Sequence, residues 1–158
     1  MNPNIYAQFI SCTIACIGFA IIFGVRGRKL ISCGVGSFIC FGIYVIVEHM
    51  TGSGFLGTMW ASIFVAAFAQ VMARVHKSPA TIFQAVCSFP MIPGNNLYYT
   101  MYYVVMDESD PAKEQFVDLM LFCAAIALGF IVVEIANKYI TIFYRMLRHR
   151  TYGRMNRY

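Results

Sequence analysis

Long apolar segments dominate this sequence and limit what it can fold into. A helix that crosses the hydrocarbon core of a bilayer needs about 20 consecutive apolar residues. Such segments occur at residues 5–25, 30–47, 55–73, 79–106 and 116–139. Of the 158 residues, 59% are hydrophobic and 12% are charged, whereas soluble domains carry about twice that charged share. The sequence therefore excludes a soluble globule and predicts an all-α integral membrane protein with five transmembrane helices.

Lysine and arginine are unevenly distributed among the connections between these segments. Of the 12 Lys and Arg residues, all but Lys113 lie next to the first and third connections or at and beyond the end of the fifth segment. The positive-inside rule places that side in the cytoplasm, with the N-terminus outside and the C-terminus inside. We expect residues 1–144 to form the five-span domain. Residues 145–158 would form a basic cytoplasmic tail that contacts anionic lipid headgroups rather than nucleic acid.

The fourth segment is interrupted by a Pro-x-x-Pro-Gly motif at residues 90–94. As one straight helix, residues 79–106 would measure about 42 Å, against a hydrocarbon core of about 30 Å. Two half-helices fit better. We expect the inner half to run from Pro79 to about Phe89, and the outer half to begin at Asn95 or Asn96 as its N-cap.

This break has two interpretations. A proline kink that only serves packing is common in membrane helices. However, two prolines followed by a glycine and two asparagines remove more backbone hydrogen bonds than one kink requires, and unwound segments of this kind form binding sites in transporters. The N–H groups of the outer half suit a carboxylate, and the freed carbonyls of the inner half suit an ammonium group. The candidate substrate-binding residues are Gln84, Pro90, Pro93, Gly94, Asn95, Asn96 and Tyr98.

Glu134 is the one acidic residue well inside a predicted span. A carboxylate within the membrane is a functional candidate by default, here for coupling transport to a proton. The alternative is a structural ion pair with Lys138, which lies four residues further along the same helix in the favourable order.

Small residues recur at helical spacing in three of the segments. These stripes comprise Cys12, Cys16, Ala20 and Gly24 in the first segment, Ser62, Ala66, Ala69 and Ala73 in the third, and Ala125 and Gly129 in the fifth. Such stripes let helix backbones approach closely, although small residues are also common in membrane helices generally. They favour a tightly packed bundle.

No pattern in the sequence indicates an enzyme, a cofactor or a metal site. The six cysteines, Cys12, Cys16, Cys33, Cys40, Cys87 and Cys123, all fall inside predicted spans, without a Cys-x-x-Cys pair or a histidine at ligand spacing. We interpret them as small buried apolar side chains. No nucleophile with a base, phosphate-binding loop or acidic pair lies at membrane depth, so catalysis has no candidate residues.

Three stretches of the sequence resemble the threonine/serine exporter family, in particular the short subunit of its two-component members. They are residues 23–30 after the first segment, residues 73–74 and 77–79 before the fourth, and Pro90 to Gly94 with Tyr98 and Met101 downstream. The similarity extends over nearly the whole chain. Two positions depart from the family pattern: Arg26 stands where proline is common, and Asn95 and Asn96 are more polar than usual.

The resemblance implies a multi-pass protein of the plasma or inner membrane that exports small polar metabolites. Threonine and serine, or a dicarboxylate such as succinate, would be the substrates, and the proton gradient would drive export. It also implies a partner, a larger five-span subunit, placed in the opposite orientation as in inverted-repeat transporters. The alternative is a membrane scaffold subunit that stabilises a partner without transporting anything.

Overall fold

The computed structural model describes the backbone of residues 5–155 and the side chains of residues 7–143. Within this range helices are the one type of regular secondary structure, without a strand, which confirms the all-α class. The α-helices are α1 (Ile5–Ile22), α2 (Arg28–Thr51), α3 (Gly54–His76), α4 (Ala80–Cys87), α5 (Gly94–Val105) and α6 (Ser109–Met155), and a 3₁₀ turn at Phe89–Met91 lies between α4 and α5.

Three helices in the described residues are long and apolar enough to cross a membrane by themselves. They are α2, α3 and the Ser109–Phe143 part of α6. Two further apolar stretches, Ala7–Ile22 and Ala80–Met91, are shorter. Three of the five expected spans are thus present as full-length helices, and the other two correspond to shorter apolar helices.

Apart from α4 and α5, successive helices pack against one another, and the buried core consists mainly of small side chains together with Phe83. α2 lies between α1 and α3, α3 also packs against α6, and α4 lies against α3 and α2. The α1–α2 and α3–α4 connections lie at one end of the bundle, which we call the basic end. The α2–α3 and α5–α6 connections lie at the other, the acidic end. Arg74 at the basic end donates to Asn137 of α6 at 2.7 Å, so α6 runs towards that end.

The α3–α6 crossing is where two of the small-residue stripes meet. Ser62 is fully buried there, and its hydroxyl donates to the Met59 carbonyl at 2.8 Å and to the Ala125 carbonyl of α6 at 3.4 Å. A Cβ atom placed on Gly129 would lie 2.8 Å from the Ser62 Cβ and 3.0 Å from the Met59 carbonyl oxygen. The close approach predicted from these stripes is therefore confirmed at this crossing.

The start of α6 differs from the sequence-based expectation of a helix over residues 116–139. The helix begins at Ser109, so most of the acidic connection is helical. Asp110 in the first turn faces the positive end of the helix dipole, and Pro111 loses no hydrogen bond there because the first N–H groups have no partner within a helix. At its other end α6 continues through residue 145 to Met155. The side chains of the expected basic tail, and all of residues 156–158, lie outside the described part.

Candidate functional site

The helix break predicted from the Pro-x-x-Pro-Gly motif is present. α4 ends at Cys87, the chain makes the 3₁₀ turn, and α5 begins at Gly94. Pro90 has no N–H to offer the Val86 carbonyl, and Pro93 has none for the Phe89 carbonyl. Instead, the Ile92 N–H donates to Phe89 at 3.3 Å and the Gly94 N–H donates to Ile92 at 2.7 Å. The α-helical hydrogen-bond ladder is thus interrupted between Cys87 and Gly94.

The outer half-helix starts earlier than expected, and neither asparagine caps it. The Leu97 N–H donates to the Pro93 carbonyl at 3.1 Å, which places Pro93 at the N-cap position without a side-chain cap bond. Asn95 and Asn96 therefore lie in the first turn of α5, and the N-cap prediction is wrong. Their backbone N–H groups make no hydrogen bond to another described residue.

The two sides of the break pack in different surroundings. On the α4 side, Cys87 and Met91 are buried in a cluster with Cys40 and Val65. The Phe89 ring also packs on Phe19 of α1, with 3.8 Å between ring centroids and 33° between the ring planes. On the outer side, α5 packs against α6 and makes at most isolated contacts with the other described helices. The interruption therefore joins a half-helix held by α1–α3 to one held by α6.

All seven candidate substrate-binding residues are at least partly exposed within this chain. Gly94, Asn95 and Tyr98 are exposed, and a Cβ atom on Gly94 would meet no atom within 4 Å. The partly buried candidates are Gln84, Pro90, Pro93 and Asn96. The structure brings residues 90–98 together around the start of α5, but it leaves their outer surface open.

Glu134 lies on an exposed part of α6, one turn before Asn137. Among residues 7–143, the one ion pair joins Lys113 to Asp110 at 3.5 Å. Glu134 and Lys138 are therefore not paired, and the structural-pair interpretation is wrong for this conformation. No hydrogen bond links Glu134 to the break in the described residues.

Sequence reasoning missed a basic cavity where the α1–α2 and α3–α4 connections meet. The Lys29 ammonium donates to the Ser78 hydroxyl at 2.5 Å, and the Ser32 hydroxyl lies 3.0 Å from His76 Nε2. The cavity measures about 200 Å³ and is lined by Phe23, Gly24, Val25, Arg26, Lys29, Ser78, Ile82 and Phe83. The sequence did contain a clue to this cavity. Each basic connection joins two consecutive antiparallel helices, so both connections lie at the same end of the bundle.

Four of the six cysteines, Cys16, Cys33, Cys40 and Cys87, are buried as expected, whereas Cys12 is partly exposed and Cys123 is exposed. All six are free thiols. In the part of the chain that the structure describes, no three His, Cys, Asp or Glu residues are placed to hold a metal ion.

A family model described as Threonine/Serine exporter, ThrE, matches residues 8–136. The matched region contains the helix break, the basic cavity and the α3–α6 crossing. No curated protein and no solved structure matches the chain significantly.

Proposed function

Because the chain belongs to the threonine/serine exporter family, we propose that it is one subunit of a secondary exporter driven by the proton gradient. Membership makes it a multi-pass membrane transporter of small amino acids rather than an enzyme. Its substrates would be threonine and serine, or a dicarboxylate such as succinate. The observation that carries the proposal is the interruption between α4 and α5.

The break offers complementary backbone groups to an amino acid. The unpaired N–H groups of Asn95 and Asn96 lie at the positive end of the α5 dipole, where a carboxylate is stabilised. The Val86 carbonyl loses its α-helical donor because residue 90 is proline. Val86 is 1% exposed and the Ser88 N–H is directed at its carbonyl, so an ammonium group would reach this carbonyl only when the break opens. A zwitterion bound across the break would satisfy both ends, and the Asn95 and Asn96 amides would add polar contacts.

The proposed topology has five crossings, with α4 and α5 together forming the fourth. The N-terminus would lie outside and the basic end in the cytoplasm, as the distribution of Lys and Arg favours. Substrate would then reach the break from the inner side along α4 and leave along α5.

The open surface around residues 90–98 supports the presence of a second subunit. A polar substrate and unpaired backbone groups cannot face lipid, so another protein surface must cover them. α5 also exposes large side chains, including Leu97, Tyr98, Met101 and Val104. We propose that a larger five-span subunit of opposite orientation covers this surface and completes the site.

The packing of the two half-helices supports an alternating-access mechanism. α4 is held by α1–α3 and α5 is held by α6, and no continuous helix connects them. Because α3 and α6 stay packed at the Ser62–Gly129 crossing, dihedral changes near Pro93 and Gly94 would let α5 tilt relative to α4 without separating α6 from α3. The bound substrate would then face first one side of the membrane and then the other.

Substitution Gly94→Leu tests the proposed binding site. Nothing in this chain obstructs a side chain at position 94, so folding and insertion should stay normal, with stability within about 0.5 kcal/mol of wild type. The leucine would occupy the place where a carboxylate approaches the N–H groups of residues 95 and 96. Counterflow of labelled threonine or succinate, in proteoliposomes that also hold the larger subunit, should therefore fall at least about tenfold, a loss of roughly 1.4 kcal/mol of binding.

Gly18→Leu is the matched control, because a Cβ atom at Gly18 in α1 also meets no atom within 4 Å. It should transport normally. Asn95→Ala and Asn96→Ala should have milder effects, since they leave the backbone donors in place. If Gly94→Leu is expressed normally and transports as fast as the wild type, the break is only a packing kink and not a binding site. Absence of counterflow by the wild-type pair, together with stabilisation of the larger subunit, would favour the scaffold function instead.

A further inference from the structure

The basic cavity is formed by packed elements rather than by a loose surface loop. Val25 and Phe83 in its wall are 6% and 1% exposed, and both belong to a buried cluster with Ala20 and Val86. The His76 ring stacks on Phe83 with 5.7 Å between centroids. The shape of the basic cavity is therefore set by the same contacts that hold α1, α2, α3 and α4 together.

The backbone of the α1–α2 connection brings its cations to this cavity. Gly24 and Gly27 adopt positive φ angles of 72° and 67°, which a side chain would strain. These two glycines turn the chain tightly enough that Arg26 and Lys29 both line the cavity. The third lining polar group, Ser78, comes from the α3–α4 connection.

Positive charge in the cavity has no counterion among the described residues. Lys29 is partly buried, and its ammonium donates to a neutral hydroxyl, that of Ser78. That hydroxyl in turn donates to the His76 carbonyl at 3.2 Å. The single ion pair within residues 7–143 lies on α6 near the acidic end, and Glu134 is the one acidic residue in the basic half of the described bundle. A partly desolvated cation bonded to a neutral group gains more from an anionic acceptor than from water.

The cavity is large enough for such an acceptor. One water occupies about 30 Å³ of liquid volume, so about 200 Å³ holds a carboxylate or phosphate group with accompanying waters. Its apolar walls lower the local dielectric and strengthen the attraction.

We propose that this cavity is a binding site for an oxyanion, a carboxylate or a phosphate group, with Lys29 and Arg26 as its cationic ligands. The Ser78 hydroxyl holds the Lys29 ammonium in position. Two sources supply this chemistry: a small anionic metabolite from the aqueous side, or the headgroup of an anionic lipid at the membrane surface. The proposal is independent of the proposed export function, because binding is measured without transport.

The test uses the full chain in nanodiscs of phosphatidylcholine alone or with phosphatidylglycerol. The lone tryptophan, Trp60, reports thermal unfolding while inorganic phosphate or succinate is titrated at constant ionic strength. If the site binds a soluble anion, the midpoint temperature of unfolding in phosphatidylcholine nanodiscs should rise with phosphate or succinate concentration and then saturate. If the anion is a lipid headgroup, native mass spectrometry should instead detect retained phosphatidylglycerol.

Lys29→Gln and Arg26→Gln should each weaken that binding roughly tenfold or more, as expected for loss of a charged hydrogen bond. Arg28→Gln is the matched control, because it removes the same charge at the first residue of α2, between Arg26 and Lys29, and Arg28 does not line the cavity. It should stay within about twofold of wild type, the effect of an exposed charge. Because Arg26 is exposed, Arg26→Gln should fold normally. It therefore tests the site even if Lys29→Gln lowers the yield of folded protein. Equal losses in all three variants would indicate diffuse surface charge and overturn the proposal, as would the absence of saturable binding by any probe.

Discussion

Gly129→Ala should separate α3 from α6 and destabilise the protein, although it adds only one methyl group. The added Cβ would lie 2.8 Å from the Ser62 Cβ and 3.0 Å from the Met59 carbonyl oxygen, and it would overlap the Ser62 hydroxyl. The hydroxyl can rotate away, but the carbonyl and the Cβ are fixed to the α3 backbone. The helices must therefore move apart by several tenths of an ångström.

The cost follows from overpacking and from one lost hydrogen bond. Overpacking a well-packed core costs about 1–3 kcal/mol. The bond from Ser62 to the Ala125 carbonyl across the two helices contributes about 0.6 kcal/mol, the average for such bonds in membranes. We expect a total loss of about 2–3 kcal/mol, measured as reversible unfolding of the purified chain in mixed micelles and followed by Trp60 fluorescence.

A double-mutant cycle identifies the cause of this loss. Ser62→Gly should restore much of the stability of Gly129→Ala because it removes both the hydroxyl and the Cβ. Ser62→Ala should restore less, since its Cβ stays at the 2.8 Å contact. Gly18→Ala, which meets no neighbour within 4 Å, should leave stability unchanged or slightly raised. A Gly129→Ala variant as stable as Gly18→Ala would refute the close α3–α6 crossing.

Two further predictions concern topology and coupling. A reporter active only in the cytoplasm should work when fused after Tyr158 and fail when fused after Asp110; activity of both fusions would mean that α4 and α5 do not together cross the membrane. Glu134→Gln should abolish gradient-driven export but retain substrate exchange if Glu134 carries the proton, with Lys138→Gln as the control. Normal export by Glu134→Gln would remove Glu134 from the coupling mechanism.

The sequence predicted those features of the fold that depend on local backbone chemistry. Prolines 90 and 93 remove defined N–H donors, so the position of the break could be inferred without a structure. The N-cap of α5 was misplaced by two or three residues, because the Pro93 carbonyl, rather than an asparagine side chain, accepts the first hydrogen bond. The start of α6 was missed because acids and a proline, typical of a connection, are equally suited to a first helical turn.

Contacts between distant parts of the chain could not be inferred in the same way. Lys29 and Ser78 are 49 positions apart, and their bond depends on the crossing geometry of two hairpins. Likewise, the pattern of residues 94–105 indicates a helix but does not specify that α6 is its main neighbour. Glu134 and Lys138 have ideal spacing for a pair, yet spacing alone does not fix two long flexible side chains.

The packing of α5 against α6 also has a consequence for how the chain is made. α2, α3 and α4 each follow a helix that they contact, so each can find a neighbour as soon as it leaves the ribosome. α5 is different, because its main neighbour is synthesised after it. The interruption at residues 88–93 separates α4, which packs on earlier helices, from α5, whose main neighbour comes later in the chain. We therefore expect the position of α5 to be fixed late in biogenesis, once α6 has been made.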